Sequence, residues 1–136
     1  MSPITILLAE DHRIIREGLR ELLYSETDLK VIGEAENGRQ AVSLTSQLCP
    51  DVVVMDVSMP LINGIEATRQ IMQSTAKTKV LVFSSHDDAV YIEQAMSIGA
   101  SGYLVKQTDT LLLPDAIRGA FHGAPFICPS KLLPTA

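Results

Sequence analysis

Several residues able to do chemistry stand directly after short apolar runs. Glu10-Asp11 follows Ile4–Ala9, Asp56 follows Val52–Met55, Ser84-Ser85 follows Val80–Phe83, and Lys106 follows Gly102–Val105. Carboxylates brought together repel one another unless a cation lies between them. An all-oxygen donor set with few carboxylates suits Mg2+, which keeps several of its waters. The lysine and the hydroxyl are then left to hold something anionic. A metal, an ammonium and a hydroxyl around one carboxylate make an arrangement for moving a phosphoryl group onto that carboxylate. Each residue also has an ordinary alternative. Asp11 can cap the helix that follows it, Asp56 can cap a loop, Ser84 can end a strand, and Lys106 can lay its stem along a sheet edge. Those alternatives do not require the groups to follow four different apolar runs.

The arrangement holds only if the four runs are parallel strands. Ile4–Ala9 reads as a buried strand, and Arg13–Tyr24 places Ile15, Leu19, Leu22 and Leu23 at helical spacing. Leu29–Ala35 reads as a second strand, broken by Asn37-Gly38, and Gln40–Leu48 as a short helix. Val52–Met55 has no polar alternation, which suits a central strand covered on both faces. Met59–Gly64 reads as a loop, Ile65–Gln73 as a helix, Val80–Phe83 as a strand, Asp88–Ile98 as a helix and Gly102–Val105 as a strand. A last helix lies within Thr110–His122 and stops at Gly123, with Pro114 delaying its regular part. Five strands alternating with five helices predict a doubly wound parallel α/β sheet with right-handed crossovers. Ligands of such sheets sit beyond the carboxyl ends of the strands, where all the residues named above would meet. Strand alternation places Tyr103 and Lys106 on opposite faces. His12 reads as an exposed surface histidine.

The chain has 136 residues, enough for one domain, with 46% hydrophobic and 20% charged residues, so it is too apolar for a disordered segment. Lys and Arg total 11 against 16 Asp and Glu, a net charge of -5, which argues against nucleic acid as a direct ligand. The two cysteines, Cys49 and Cys128, are too few for a disulfide framework or a zinc site and fit a reducing compartment. The N-terminal segment lacks a basic region before its apolar run, and no run approaches the roughly 20 apolar residues of a membrane span. A cytoplasmic location is expected.

The stretches Leu7-Leu8-Ala9-Glu10-Asp11-His12, Asp51-Val52-Val53-Val54-Met55-Asp56-Val57-Ser58-Met59-Pro60, Asn63-Gly64-Ile65-Glu66-Ala67-Thr68, Val80-Leu81-Val82-Phe83-Ser84-Ser85-His86 and Gly99-Ala100-Ser101-Gly102-Tyr103-Leu104-Val105-Lys106 follow in this order. Together they resemble the receiver domain of bacterial two-component response regulators, from Ile4 to about Gly123. Arg16-Glu17-Gly18-Leu19 and Ala116-Ile117-Arg118 look most like its NarL/FixJ-type subfamily.

The resemblance implies a flavodoxin-like (βα)5 fold with strand order 2-1-3-4-5. It implies Asp56 as the phosphoacceptor, served by a histidine kinase or phosphotransfer protein. Mg2+ would be held by Asp11, Asp56 and the backbone carbonyl of Ser58, with Glu10 acting through water. Lys106 would pair with the phosphoryl group and Ser84 would hydrogen-bond it. Tyr103 would be the switch that turns inward, while Ser58 and Ser85 would tune hydrolysis. Catalysis would be limited to the chain's own phosphorylation and dephosphorylation. Residues 1–123 are expected to form the receiver and 124–136 to begin an interdomain linker. Members usually carry a C-terminal helix-turn-helix domain, so DNA would be reached only through a domain outside this chain, and homodimers often form on phosphorylation. Two departures from the family pattern stand out: Glu10 where Asp is commoner, and the unusual run Gln107–Pro114.

Other readings are a stand-alone receiver acting by protein binding or phosphorelay, and a small-molecule phosphatase using an aspartyl phosphate. The phosphatase would want a second Asp two residues after the nucleophile, where Ser58 stands. A flavodoxin-like cofactor binder would want a Ser/Thr/Gly-rich loop after the first strand, in place of Glu10-Asp11-His12-Arg13.

Overall fold

Val52, Val53, Val54 and Met55 are all buried and form the central strand, β3 (Val52–Met55), of a five-stranded parallel sheet. The computed structural model describes residues 2–74 and 77–124. Around β3 the sheet contains β1 (Ile4–Ala9), β2 (Leu29–Ala35), β4 (Lys79–Ser84) and β5 (Gly102–Val105), in the order β2-β1-β3-β4-β5. This is the flavodoxin-like order expected from the sequence. The helices are α1 (Arg13–Tyr24), α2 (Gly38–Leu48), α3 (Gly64–Ser74), α4 (Ala89–Ser97), α5 (Lys106–Asp109) and α6 (Leu113–His122).

Alternation along the strands divides the core in two. Val53, Met55, Val80, Val82 and Tyr103 pack with Ala41 of α2, Ile65 and Ile71 of α3, and Ala95 of α4. Val52, Val54, Leu81, Phe83 and Leu104 pack with Leu19 and Leu23 of α1 and Leu113, Ala116 and Ile117 of α6. Each fully buried aliphatic side chain contributes about 1.5–3 kcal/mol. Tyr103 therefore belongs to one face, while Lys106 lies over the Phe83 ring of the other, as alternation predicts.

Helix starts follow local hydrogen bonds more than apolar spacing. The Asn37 side chain accepts from the Gln40 N–H at 2.8 Å, so α2 begins at Gly38, earlier than its apolar residues indicate. Asn63 does the same for Glu66 at 2.9 Å ahead of α3. Asp11 does not cap α1; the position before that helix is His12, which makes no side-chain cap.

The largest departure follows β5. The Asp109 carboxylate accepts the Val105 N–H at 2.9 Å, and the Thr110 hydroxyl donates to the Lys106 carbonyl at 2.6 Å. These bonds coil Lys106–Asp109 into a short extra helix, continued by a 3-10 turn at Thr110–Leu112. The regular helix then starts at Leu113, with Pro114 in its first turn. It stops at Gly123, whose φ of 83° is a left-handed cap. From residue 125 onward the expected linker, with Cys128, lies outside the described residues; Cys49 is exposed.

Candidate functional site

Parallel register carries the strand ends to one rim. Ala9 is aligned with Met55, and the Asp56 N–H donates to the Ala9 carbonyl at 2.9 Å, so Glu10 and Asp56 emerge side by side. Lys106 comes off β5 and reaches both: its Nζ lies 2.5 Å from Glu10 Oε1 and 3.2 Å from Asp56 Oδ1. Glu10 and Asp56 are 2% and 3% exposed. The Glu10 backbone is held from behind by Arg16, whose Nη1 donates to the Glu10 carbonyl at 2.8 Å and whose Nε donates to Glu34 at 2.9 Å. The Asp56 backbone is pressed against α3: a Cβ at Gly64 would lie 1.9 Å from the Asp56 carbonyl oxygen. Only glycine permits that approach.

Burial decides the charge state of the pair. It pushes the Asp56 carboxyl up, the neighbouring Glu10 charge adds to the effect, and Lys106 only partly offsets it, leaving Asp56 at about 7. Burial also pushes Glu10 up. There, however, hydrogen bonds from Lys106 and the His12 N–H, with the Lys106 charge, outweigh it and hold the carboxyl below its ordinary value. At neutral pH the buried rim keeps Glu10 ionised and Asp56 poised between its two forms.

The donor set fits a hard divalent cation. Ligand atoms of Glu10, Asp11, His12 and Asp56 all lie within 4.8 Å of one another. Asp11 Oδ1 and Asp56 Oδ2 are buried and accept no hydrogen bond, which is costly unless a cation completes them. Glu10 is already engaged by Lys106 and His12, which suits it better to a role through water than to direct ligation. His12 is exposed, as expected, but its Nδ1 lies 3.2 Å from Glu10 and 3.3 Å from Asp11, at the edge of the cluster.

The remaining candidates meet through a residue the sequence reading left without a role. Ser84 Oγ accepts the His86 N–H at 3.0 Å, and the buried Tyr103 hydroxyl donates to the His86 carbonyl at 2.7 Å. Ser58 Oγ is 2.8 Å from His86 Nε2. Ser85 is exposed. His86, Arg16 and Asp109 are the supporting residues that sequence reasoning missed. Arg16 left a signal, since it shares the buried face of α1 with Leu19 and Leu23 at helical spacing. His86 acts from a loop and Asp109 from the end of a one-turn helix too short to show a period, so periodicity carries no signal for either.

Residues 6–118 match the family model described as the response regulator receiver domain. The chain is 40% identical over 128 residues to the transcriptional regulatory protein DegU of Brevibacillus brevis, covering 94% of this chain and 54% of that protein. It is 40% identical over 124 residues to the response regulator UvrY of Escherichia coli strain K12, covering 91% of this chain and 57% of that protein. A LuxR-family two-component response regulator from Aurantimonas sp. SI85-9A1 superposes with a TM-score of 0.91 at 36% identity, covering 96% of this chain and 94% of that one. The chain thus spans a little over half the length of the curated relatives it matches.

Proposed function

The chain belongs to the response regulator receiver domain family, and on that premise we propose that Asp56 accepts a phosphoryl group from a phosphohistidine of a kinase or phosphotransfer protein. The observation that carries this reading is the buried Asp56 carboxylate, with the Lys106 ammonium on one oxygen and no hydrogen bond on the other. The carboxylate attacks phosphorus in line, an O–P bond forms, the P–N bond to the donor imidazole breaks, and that imidazole leaves with the bonding pair. Lys106 is placed to neutralise charge on the transferring oxygens. Asp11, Asp56 and the Ser58 carbonyl would hold Mg2+, with Glu10 through water. The ion, when bound, neutralises charge on the phosphoryl oxygens.

Ser84 accepts its bond from His86, which leaves the Ser84 O–H as a donor for a phosphoryl oxygen. Tyr103 already lies inward against the His86 carbonyl, so movement of Ser84 towards the phosphoryl oxygen would stabilise that position and bias the surface around α4 and β5. Ser58 and Ser85 would tune hydrolysis. A groove of about 400 Å3 opens at Lys106, lined by Ile15, Leu19, Leu22, Phe83 and Leu111, and offers the phosphodonor protein an apolar seat. Residues 1–123 act as the regulatory unit, and 124–136 begin the linker. The output is transcriptional control through a DNA-binding domain outside this chain, as the names of the relatives support. The protein works in the cytoplasm, and among the described residues no helix is long and apolar enough to cross a membrane.

Intact-mass measurement after incubation with acetyl phosphate and Mg2+ tests the reading. Wild type gains one phosphoryl group; Asp56→Asn and an EDTA-treated sample gain none, and Asp11→Ala needs more Mg2+. Uptake that persists in Asp56→Asn, or no uptake from either acetyl phosphate or a phosphorylated kinase, overturns it.

A further inference from the structure

His86 is half-buried and contacts residues from four separate elements. Its imidazole hydrogen-bonds Ser58 Oγ, from the loop after β3, at 2.8 Å. The same ring stacks on Tyr91 of α4, with centroids 4.5 Å apart and planes inclined at 26°. Its N–H reaches Ser84 at 3.0 Å, and its carbonyl takes the Tyr103 hydroxyl at 2.7 Å. The side chain is therefore anchored to the phosphoacceptor loop and α4, while the main chain of the same residue anchors the two switch residues.

We propose that His86 is a positioning residue that couples the loop carrying Asp56 and Ser58 to the inward placement of Tyr103. Ser58 and Tyr91 fix the imidazole. A fixed imidazole restricts the backbone of the β4–α4 loop, and so fixes the carbonyl that receives Tyr103. Ser58 thereby acts on Tyr103 without touching it. The functional weight of this coupling rests on the reading of Asp56 as phosphoacceptor, but the coupling itself exists in the unphosphorylated chain. The ratio that matters is that of Tyr103 inward, as it stands here, to Tyr103 turned out. Losing one hydrogen bond of this kind changes such a ratio by about two- to tenfold.

The experiment uses the full chain labelled with 3-fluorotyrosine and read by 19F NMR without any phosphodonor. The chain has three tyrosines, so Tyr→Phe variants assign the resonances. Tyr24, 89% exposed, supplies the solvent reference for Tyr103. Ser58→Ala is expected to move the Tyr103 resonance toward that reference, with the inward population ratio falling by about two- to tenfold. His86→Ala does the same, and the double variant goes no further than the larger single effect. His86→Gln, whose amide can still bond Ser58, restores most of the wild-type position. A Tyr103 resonance unmoved by Ser58→Ala, or fully additive effects of the two substitutions, overturns the coupling. Because no phosphodonor is present, neither result depends on whether Asp56 takes a phosphoryl group, which the mass measurement decides separately.

Discussion

The molecule gathers one cation and three carboxylates twice, at opposite ends of the sheet. At the amino end, Arg118 of α6 donates to Glu26 at 2.5 Å, Asp28 at 2.8 Å and Asp115 at 2.9 Å. At the carboxyl end, Lys106 reaches Glu10 and Asp56, with Asp11 beside them. The charge count is the same, and the outcome is opposite. Arg118 presents a fork of donors to partly exposed acids, and its hydrogen bonds hold Asp28 below the usual carboxylate range. Lys106 is a point charge between two buried acids, and two carboxylate oxygens at that rim accept no hydrogen bond. The Arg118 fork satisfies the first cluster. The second is left under tension that a cation or a phosphoryl group can relieve. Burial makes the difference, and it is what separates a structural ion cluster from a reactive one.

The comparison breaks most readily at Lys106. Lys106→Met leaves Glu10 and Asp56 facing each other without a cation. It is expected to cost about 3 kcal/mol at pH 8 in urea unfolding. Less is lost at pH 5, where Asp56 keeps its proton. A loss that is equal at both pH values would contradict the assignment of the tension to this pair.

A comparable effect is expected from Asp56→Asn, in the opposite direction. The folded chain holds the Asp56 proton up to about 7 against an ordinary value of 3.8, so between those values it binds a proton that the unfolded chain has released. Stability from this group is therefore fully present below the lower value and lost as pH rises through the upper one. Asp56→Asn removes that loss, so the variant should be clearly more stable than wild type at pH 8 and match it closely near pH 4. Parallel stability profiles for the two proteins would sink the idea.

The smallest change belongs to the amino end. Arg118→Met should lower the melting midpoint by only a few degrees, and raising the salt concentration should shrink the gap. A large, salt-independent loss would mean that this cluster is also a desolvated one.

Much of this was readable before the fold was known. The unbroken Val52–Met55 run marked the central strand, Gly123 marked the end of the last helix, and Glu10, Asp56, Ser84 and Lys106 marked the rim through their place after apolar runs. Periodicity failed where side chains bond to local backbone. Asn37 lengthened α2, and Asp109 coiled the chain after β5 into a helix that apolar spacing does not announce. For Asp11 the two readings the sequence allowed part company: it does not cap α1, and its Oδ1 is buried in the acidic cluster with Glu10 and Asp56.

The sequence by itself determined which strand residues face which layer and that the acids, the serine and the lysine come to one edge; on the helices Ile15, Leu48 and Phe121, which helical spacing places inward, are exposed. Strand alternation and the parallel rule are local and periodic, so they survive in one dimension. Only the tertiary structure decided that Arg16 would brace Glu10 and that His86 would join Ser58, Ser84 and Tyr103. It also decided that Asp56 would be dry enough to hold its proton to about 7. Those properties come from distance and desolvation, and both exist only once separate elements have packed against one another.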